Sequence, residues 1–105
     1  MAEYEFYVKI FDALSHPMRI KIAGILAKED KYVSELAKII QISRPLLYMH
    51  LKKLEEASLV TSYYEISDSK KTMKFYQLKD FNIILSPDLL EKIGKTIPAV
   101  LPKER

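Results

Sequence analysis

Apolar side chains crowd the stretch from Glu3 to Leu14, at Phe6, Val8, Ile10, Phe11 and Leu14, with Tyr4 and Tyr7 beside them. The spacing predicts a helix over 3–14 that carries more apolar surface than one packed face needs. Ser15-His16-Pro17 interrupts the run. Proline in a first helical turn loses nothing, because its missing N–H would have no intrahelical partner there. A new helix is therefore expected over 17–28, with Ser15 or His16 in the cap region. Its packed side is read as Ile20, Ala23, Gly24 and Ala27, widened by Ile22, Ile25 and Leu26, and the polar cluster Lys28 to Lys31 ends it.

A short extended piece at Tyr32-Val33 precedes Ser34, a good N-cap for a helix over 35–40. Ser43 is cap-like again and opens a helix over 44–57, with Pro45 tolerated in its first turn. Leu47, Leu51 and Leu54 follow at steps of four and three, which makes one inward stripe. Two short helices joined by a tight turn, the second amphipathic, form a helix-turn-helix pattern over 34–57.

The period then changes. Val60, Thr61, Tyr63, Tyr64 and Ile66 are β-branched or aromatic and predict a strand, and Met73 to Leu78 predicts a second. The pair is a β-hairpin over 59–78 whose polar tip, 67–73, carries Lys70 and Lys71. Without an Asn-Gly or Asp-Gly turn, a longer and more mobile loop is expected. Phe81 to Leu85 reads as a further strand. Ser86-Pro87-Asp88 starts a last helix over 87–95, and Pro98 and Pro102 limit any helix in the tail.

The fold class that results is mainly α with a small β-hairpin (α+β), a winged helix-turn-helix. A length of 105 residues suits a single domain over 1–105 and is short for two. Cysteine is absent, which removes disulfides and thiolate metal sites. No apolar run approaches the roughly 20 residues of a membrane span, so no membrane partner is expected, and the acidic start at Glu3 and Glu5 is unlike a signal peptide. A cytoplasmic location fits. The net charge of +3 and a pI near 9.0 are only mildly basic, so position rather than total charge must identify a partner.

Three segments carry a family likeness. "ALSHPMRIKIAGIL" at Ala13 to Leu26, "VSELAKII" at Val33 to Ile40 and "ISRPLLYMHLKKLEEASLV" at Ile42 to Val60 resemble the ArsR-like winged-helix regulators, in the right order and spacing. The likeness covers roughly Phe11 to Leu78. It implies a sequence-specific regulator of transcription that binds double-stranded DNA as a homodimer, with one recognition helix per subunit in successive major grooves. Metal-sensing members often carry cysteines on the helix-turn-helix, and this chain has none. Ser58 stands where the family usually has glycine between recognition helix and wing.

If the leucine stripe faces inward, Arg44, Pro45, Leu46, Tyr48, Met49, Lys52 and Lys53 are left for the outer and flanking faces. The first turns of such a helix meet base edges. Arg44 suits a bidentate contact to guanine, while Tyr48 and Leu46 suit thymine methyls or simple packing. Ser43 and the helix-start N–H groups suit phosphate, as do Lys52 and Lys53. Lys70 and Lys71 at the wing tip suit phosphates or the adjacent minor groove. Against each stands the plain alternative of a solvated lysine face or a packed Leu46 and Met49. His50 borders the leucine stripe and reads as a structural histidine.

The ends carry surplus apolar residues: Tyr4, Phe6, Tyr7, Ile10 and Phe11 in the first helix, Leu89, Leu90 and Ile93 in the last, then Ile97. A buried Leu or Phe contributes about 1.5–3 kcal/mol, so pairing with a second copy is the expected use, with completion of the monomer core as the alternative. An enzyme is not expected. Gly24 and Gly94 sit in helical patterns rather than a phosphate loop, His16 and His50 have no carboxylate cluster at metal-ligand spacing, and no cofactor is indicated. Asp88 and Glu91 read as ordinary exposed carboxylates. The rival function is a winged helix that binds protein in a larger assembly, which the dilution of the basic face by Glu55 and Glu56 keeps open. The sequence names no small-molecule effector.

Overall fold

Three helices start where a capping side chain meets a proline. His16 Nδ1 accepts from the Met18 N–H at 3.0 Å, Ser43 Oγ from the Leu46 N–H at 3.3 Å and Ser86 Oγ from the Leu89 N–H at 3.1 Å. Each bond satisfies an orphan donor of a first helical turn. The computed structural model describes residues 2–101; Pro102 lies outside them. The described chain runs α1 (Glu3–Ala13), α2 (Pro17–Lys28), β1 (Lys31–Tyr32), α3 (Val33–Ile40), α4 (Arg44–Glu56), β2 (Val60–Ile66), β3 (Thr72–Leu78) and α5 (Pro87–Lys95).

The core lies where α4 meets α1, α2 and α3 and the base of the sheet. Leu47, Leu51 and Leu54 are fully buried, and with them Leu36, Ile22, Leu59 and Tyr76. On α2 the expected packed side is corrected. Ile22 and Leu26 face the core with Met18 and Ile25 partly buried against them, whereas Ile20 is 56% exposed and Gly24 and Ala27 are exposed. A helix apolar all round offers no single stripe, and packing on α4 and β3 selected the 18-22-26 row.

The helix-turn-helix turn is tight because Gln41 adopts a left-handed conformation (φ 58°), which lets the Ile42 N–H reach back to the Ala37 carbonyl at 3.3 Å. Ser34 is not the cap of α3. The helix starts earlier than expected, directly from β1, with Tyr32 at the N-cap and no side-chain cap bond.

The sheet is antiparallel in the order β1-β3-β2. Its third strand is Lys31–Tyr32, not Phe81–Leu85, which is irregular and sends only Ile83 toward the core. β2 pairs along the whole of β3 on one side, and on the other β1 pairs with Phe75 and Tyr76. One sheet face carries the ladder Tyr32, Phe75 and Tyr63, with ring centroids 5.7 and 5.5 Å apart. Tyr63 Oη donates to Asp30 at 2.6 Å, and Gln77 donates to the same carboxylate at 3.2 Å. The Asp30 hydrogen bond, with some burial, pushes the Tyr63 phenol up to about 12. These bonds tie the wing to the loop after α2.

Candidate nucleic-acid interface

Helix α4 shows its inner stripe to the core and its other side to solvent. Arg44, Pro45, Leu46, Tyr48, Met49, Lys52 and Lys53 are all exposed, as expected from the leucine spacing. Helical geometry divides them into two rows. Arg44, Tyr48 and Lys52 run along the flank beside the wing, where Tyr48 meets Lys74 of β3. Met49 and Lys53 run along the flank beside α1, where Lys53 Nζ lies 3.8 Å from Asp12. The lysine pair therefore divides: Lys52 stays with Arg44, and Lys53 turns toward α1. Ser43 Oγ spends a lone pair on its cap bond but keeps its O–H free to donate.

A groove separates the first turns of α3 and α4 from the wing. Ser34 and Arg44 line one wall, and Ser67, Lys71, Thr72 and Lys74 the other. Its described lining holds three cations and no carboxylate, and the α3 and α4 N-termini add the positive ends of two helix dipoles. Such a groove attracts phosphate by charge and by hydroxyl and N–H donors together.

The wing tip is a closed turn over Ser67–Lys71. Ser67 N–H donates to the Lys71 carbonyl and Lys70 N–H to the Ser67 carbonyl, both at 2.8 Å, while Lys71 N–H reaches Ser67 Oγ at 3.1 Å. Lys70 takes a left-handed conformation, φ 68°, to close it. The loop is longer than a two-residue turn, and its ends are tied across its base. Lys71 faces the groove, and Lys70 stands exposed at the tip.

Sequence alone shows Lys74 only as one polar residue in a strand. The structure places its Nζ 5.2 Å from the Tyr76 ring centre and 5.9 Å from those of Tyr48 and Tyr64. The neighbouring Tyr76 hydroxyl raises the Lys74 pKa despite partial burial. His50 is buried on α4, as its place beside the leucine stripe implied. Its Nδ1 lies 3.2 Å from Arg19, and its ring centre lies 4.7 Å from that of His16, with the two planes inclined at 57°. Burial, then the charges of His16 and Arg19, push His50 below the usual imidazole range.

At the other end, Ile10 and Ile93 are covered within the chain itself. Tyr4, Tyr7 and Leu89 are half-buried, while Phe6, Phe11, Leu90 and Ile97 are exposed. A hollow lined by Tyr7, Asn82, Ile83, Ile84 and Leu89 joins α1, the 81–85 segment and α5 into one surface.

Helix-turn-helix, wing and basic groove define a winged-helix DNA-binding protein. The family model described as "Bacterial regulatory protein, arsR family" matches residues 16–62. An uncharacterized HTH-type transcriptional regulator of Methanocaldococcus jannaschii is 41% identical over 86 residues, spanning 82% of this chain and 90% of that protein. Among solved structures, reduced HlyU from Vibrio cholerae N16961 superposes with a TM-score of 0.62 at 23% identity, over 87% of this chain and 84% of that one. The transcriptional regulator HlyU from Vibrio vulnificus CMCP6 gives 0.57 at 25% identity, over 85% and 81%. The chain belongs to the arsR family: it is a winged-helix, DNA-binding transcriptional regulator and not an enzyme.

Proposed function

We propose that the protein regulates transcription as a homodimer bound to a specific double-stranded operator. In this reading α4 enters the major groove by its first two turns, and the wing lies against the backbone or the adjacent minor groove. The observation that carries it is the carboxylate-free groove joining Arg44 of α4 to Lys71 and Lys74 of the wing. Arg44 reads a base, with Tyr48 beside it, while Ser43, Lys52, Lys70 and Lys71 hold phosphates. Pro45, Leu46 and Met49 supply apolar contact beside them. Lys53 acts in concert with α1 through Asp12.

The dimer reading is supported by apolar side chains the single chain leaves wet. Phe6 is 47% and Leu90 52% exposed, and Phe11 and Ile97 are exposed near them in sequence. Ile84 and Leu85, in the segment between β3 and α5, add to this surface, whereas Ile10 and Ile93 support it from beneath. A single domain over 1–105 then divides its labour, with the two terminal helices pairing copies and residues 34–78 meeting DNA. Such a regulator works where the chromosome is, so the proposal puts it in the cytoplasm.

Arg44→Ala, with duplex binding measured at two salt concentrations, tests the reading. Loss of affinity or of sequence preference is expected. A wild-type protein that binds no duplex tightly at either salt would instead indicate a protein-assembly module.

A further inference from the structure

Among the described residues of the groove, Lys74 is the one cation that three aromatic rings surround. They come from three places: Tyr64 opposite it on β2, Tyr76 two residues along its own strand, and Tyr48 on α4. Strand alternation puts Lys74, Tyr76 and Tyr64 on the same sheet face, the one turned to α4. Each Nζ–ring distance falls within the range where the quadrupole of an aromatic face attracts a cation. Lys70 and Lys71 are exposed, whereas Lys74 is half-buried.

We propose that Lys74 is a positioning residue for sequence recognition: its ammonium pins the Tyr48 ring between helix and wing and thereby sets which base edge Tyr48 meets. The inference rests on the reading that α4 faces DNA. Tyr48 is one helical turn beyond Arg44 on the same row, so its ring extends the contact that Arg44 begins. An exposed tyrosine on a helix chooses between two common side-chain rotamers, and a cation beneath the ring selects one. The choice between positioning and phosphate contact follows from the surroundings. A phosphate clamp needs a free head group, and the Lys74 ammonium is shared among three phenol rings. Lysine is a cation across the physiological range in any case, and the Tyr76 hydroxyl raises the Lys74 pKa further.

The test runs wild type, Lys74→Met, Lys74→Arg and Tyr48→Ala in parallel selections from a random duplex DNA library. Affinity for the wild-type consensus duplex is then measured against salt. Lys74→Met is expected to relax the consensus at the same position as Tyr48→Ala, with the salt slope unchanged, and Lys74→Arg to restore it. Combining Lys74→Met with Tyr48→Ala should cost no more specificity than Tyr48→Ala alone. A Lys74→Met consensus identical to wild type overturns the proposal. So does a salt slope reduced by nearly one unit with the consensus kept, which marks a phosphate contact. A lowered unfolding temperature with slope and consensus both intact assigns Lys74 a merely structural role, and that also overturns it. Failure of the underlying reading looks different, because wild type itself would then enrich nothing.

Discussion

Arg19 Nη1 lies 3.2 Å from His50 Nδ1, and the same guanidinium donates through Nε to the Ala13 carbonyl at 2.6 Å. Arginine is always a charged donor, so Nδ1 must accept and the buried imidazole is neutral with its proton on Nε2. One side chain of α2 thus ties the C-terminal end of α1 to the middle of α4. The element that carries the exposed apolar surface and the element that faces the groove are joined by this bond, with the His16 ring tilted against that of His50 beside it.

That arrangement makes stability depend on pH. The folded-state pKa of His50 is depressed, by burial first and then by the His16 and Arg19 charges. The unfolded chain therefore takes up the proton first, and the stability contribution is fully present above about pH 6.5. It is lost as pH falls from there through the lower folded value. Urea midpoints at pH 7.5 and 5.5 should fall more for wild type than for His50→Gln, which can still accept from Arg19 but does not titrate. Equal losses in the two proteins would contradict the assignment.

Ser58 occupies the turn between α4 and β2 with φ 60°. A side chain in that conformation costs about 1–2 kcal/mol, and the greater chain entropy that glycine loses on folding offsets about 0.5–1 kcal/mol of it, leaving a gain of about 1 kcal/mol. Ser58→Gly should therefore raise the unfolding midpoint by about 4–8 °C. No rise, measured calorimetrically, would mean the Ser58 conformation is not strained.

Phe6→Glu with Leu90→Glu should convert a dimer into a folded monomer, read as mass by sedimentation. Ile10→Ala should behave differently: its side chain packs inside the chain, so a loss of about 2–5 kcal/mol of stability is expected. A wild-type monomer at micromolar concentration would show that these surfaces do not pair two copies.

Replacing Lys70 and Lys71 with Gln should lower the salt dependence of duplex binding, by about 0.9 in slope for each phosphate that is no longer neutralised. An unchanged slope would take the wing tip out of the DNA interface.

Much of the architecture was legible because its signals were local. Ser43 capped α4, Leu47, Leu51 and Leu54 fixed its inner side, and the outer residues followed by subtraction. Other features depended on partners far away in sequence. Lys31-Tyr32 is too short to show strand alternation and is a strand only because Phe75 and Tyr76 pair with it. The all-round apolar pattern of α2 hid its packed row until α4 and β3 selected it. Lys74 became recognisable only when the hairpin register brought Tyr64 opposite it and the helix brought Tyr48 near. The exposed ends looked uniform in sequence, yet Ile10 and Ile93 turned inward while Phe6 and Leu90 did not.

If two copies each present α4 to the major groove of one operator, the bound DNA must carry that two-fold symmetry. Selection of bound sequences from random duplex DNA reads that symmetry out. A palindrome whose half-sites lie about 10 base pairs apart, or a multiple of that, is expected. Enrichment of a single asymmetric half-site, or of no sequence at all, would contradict it.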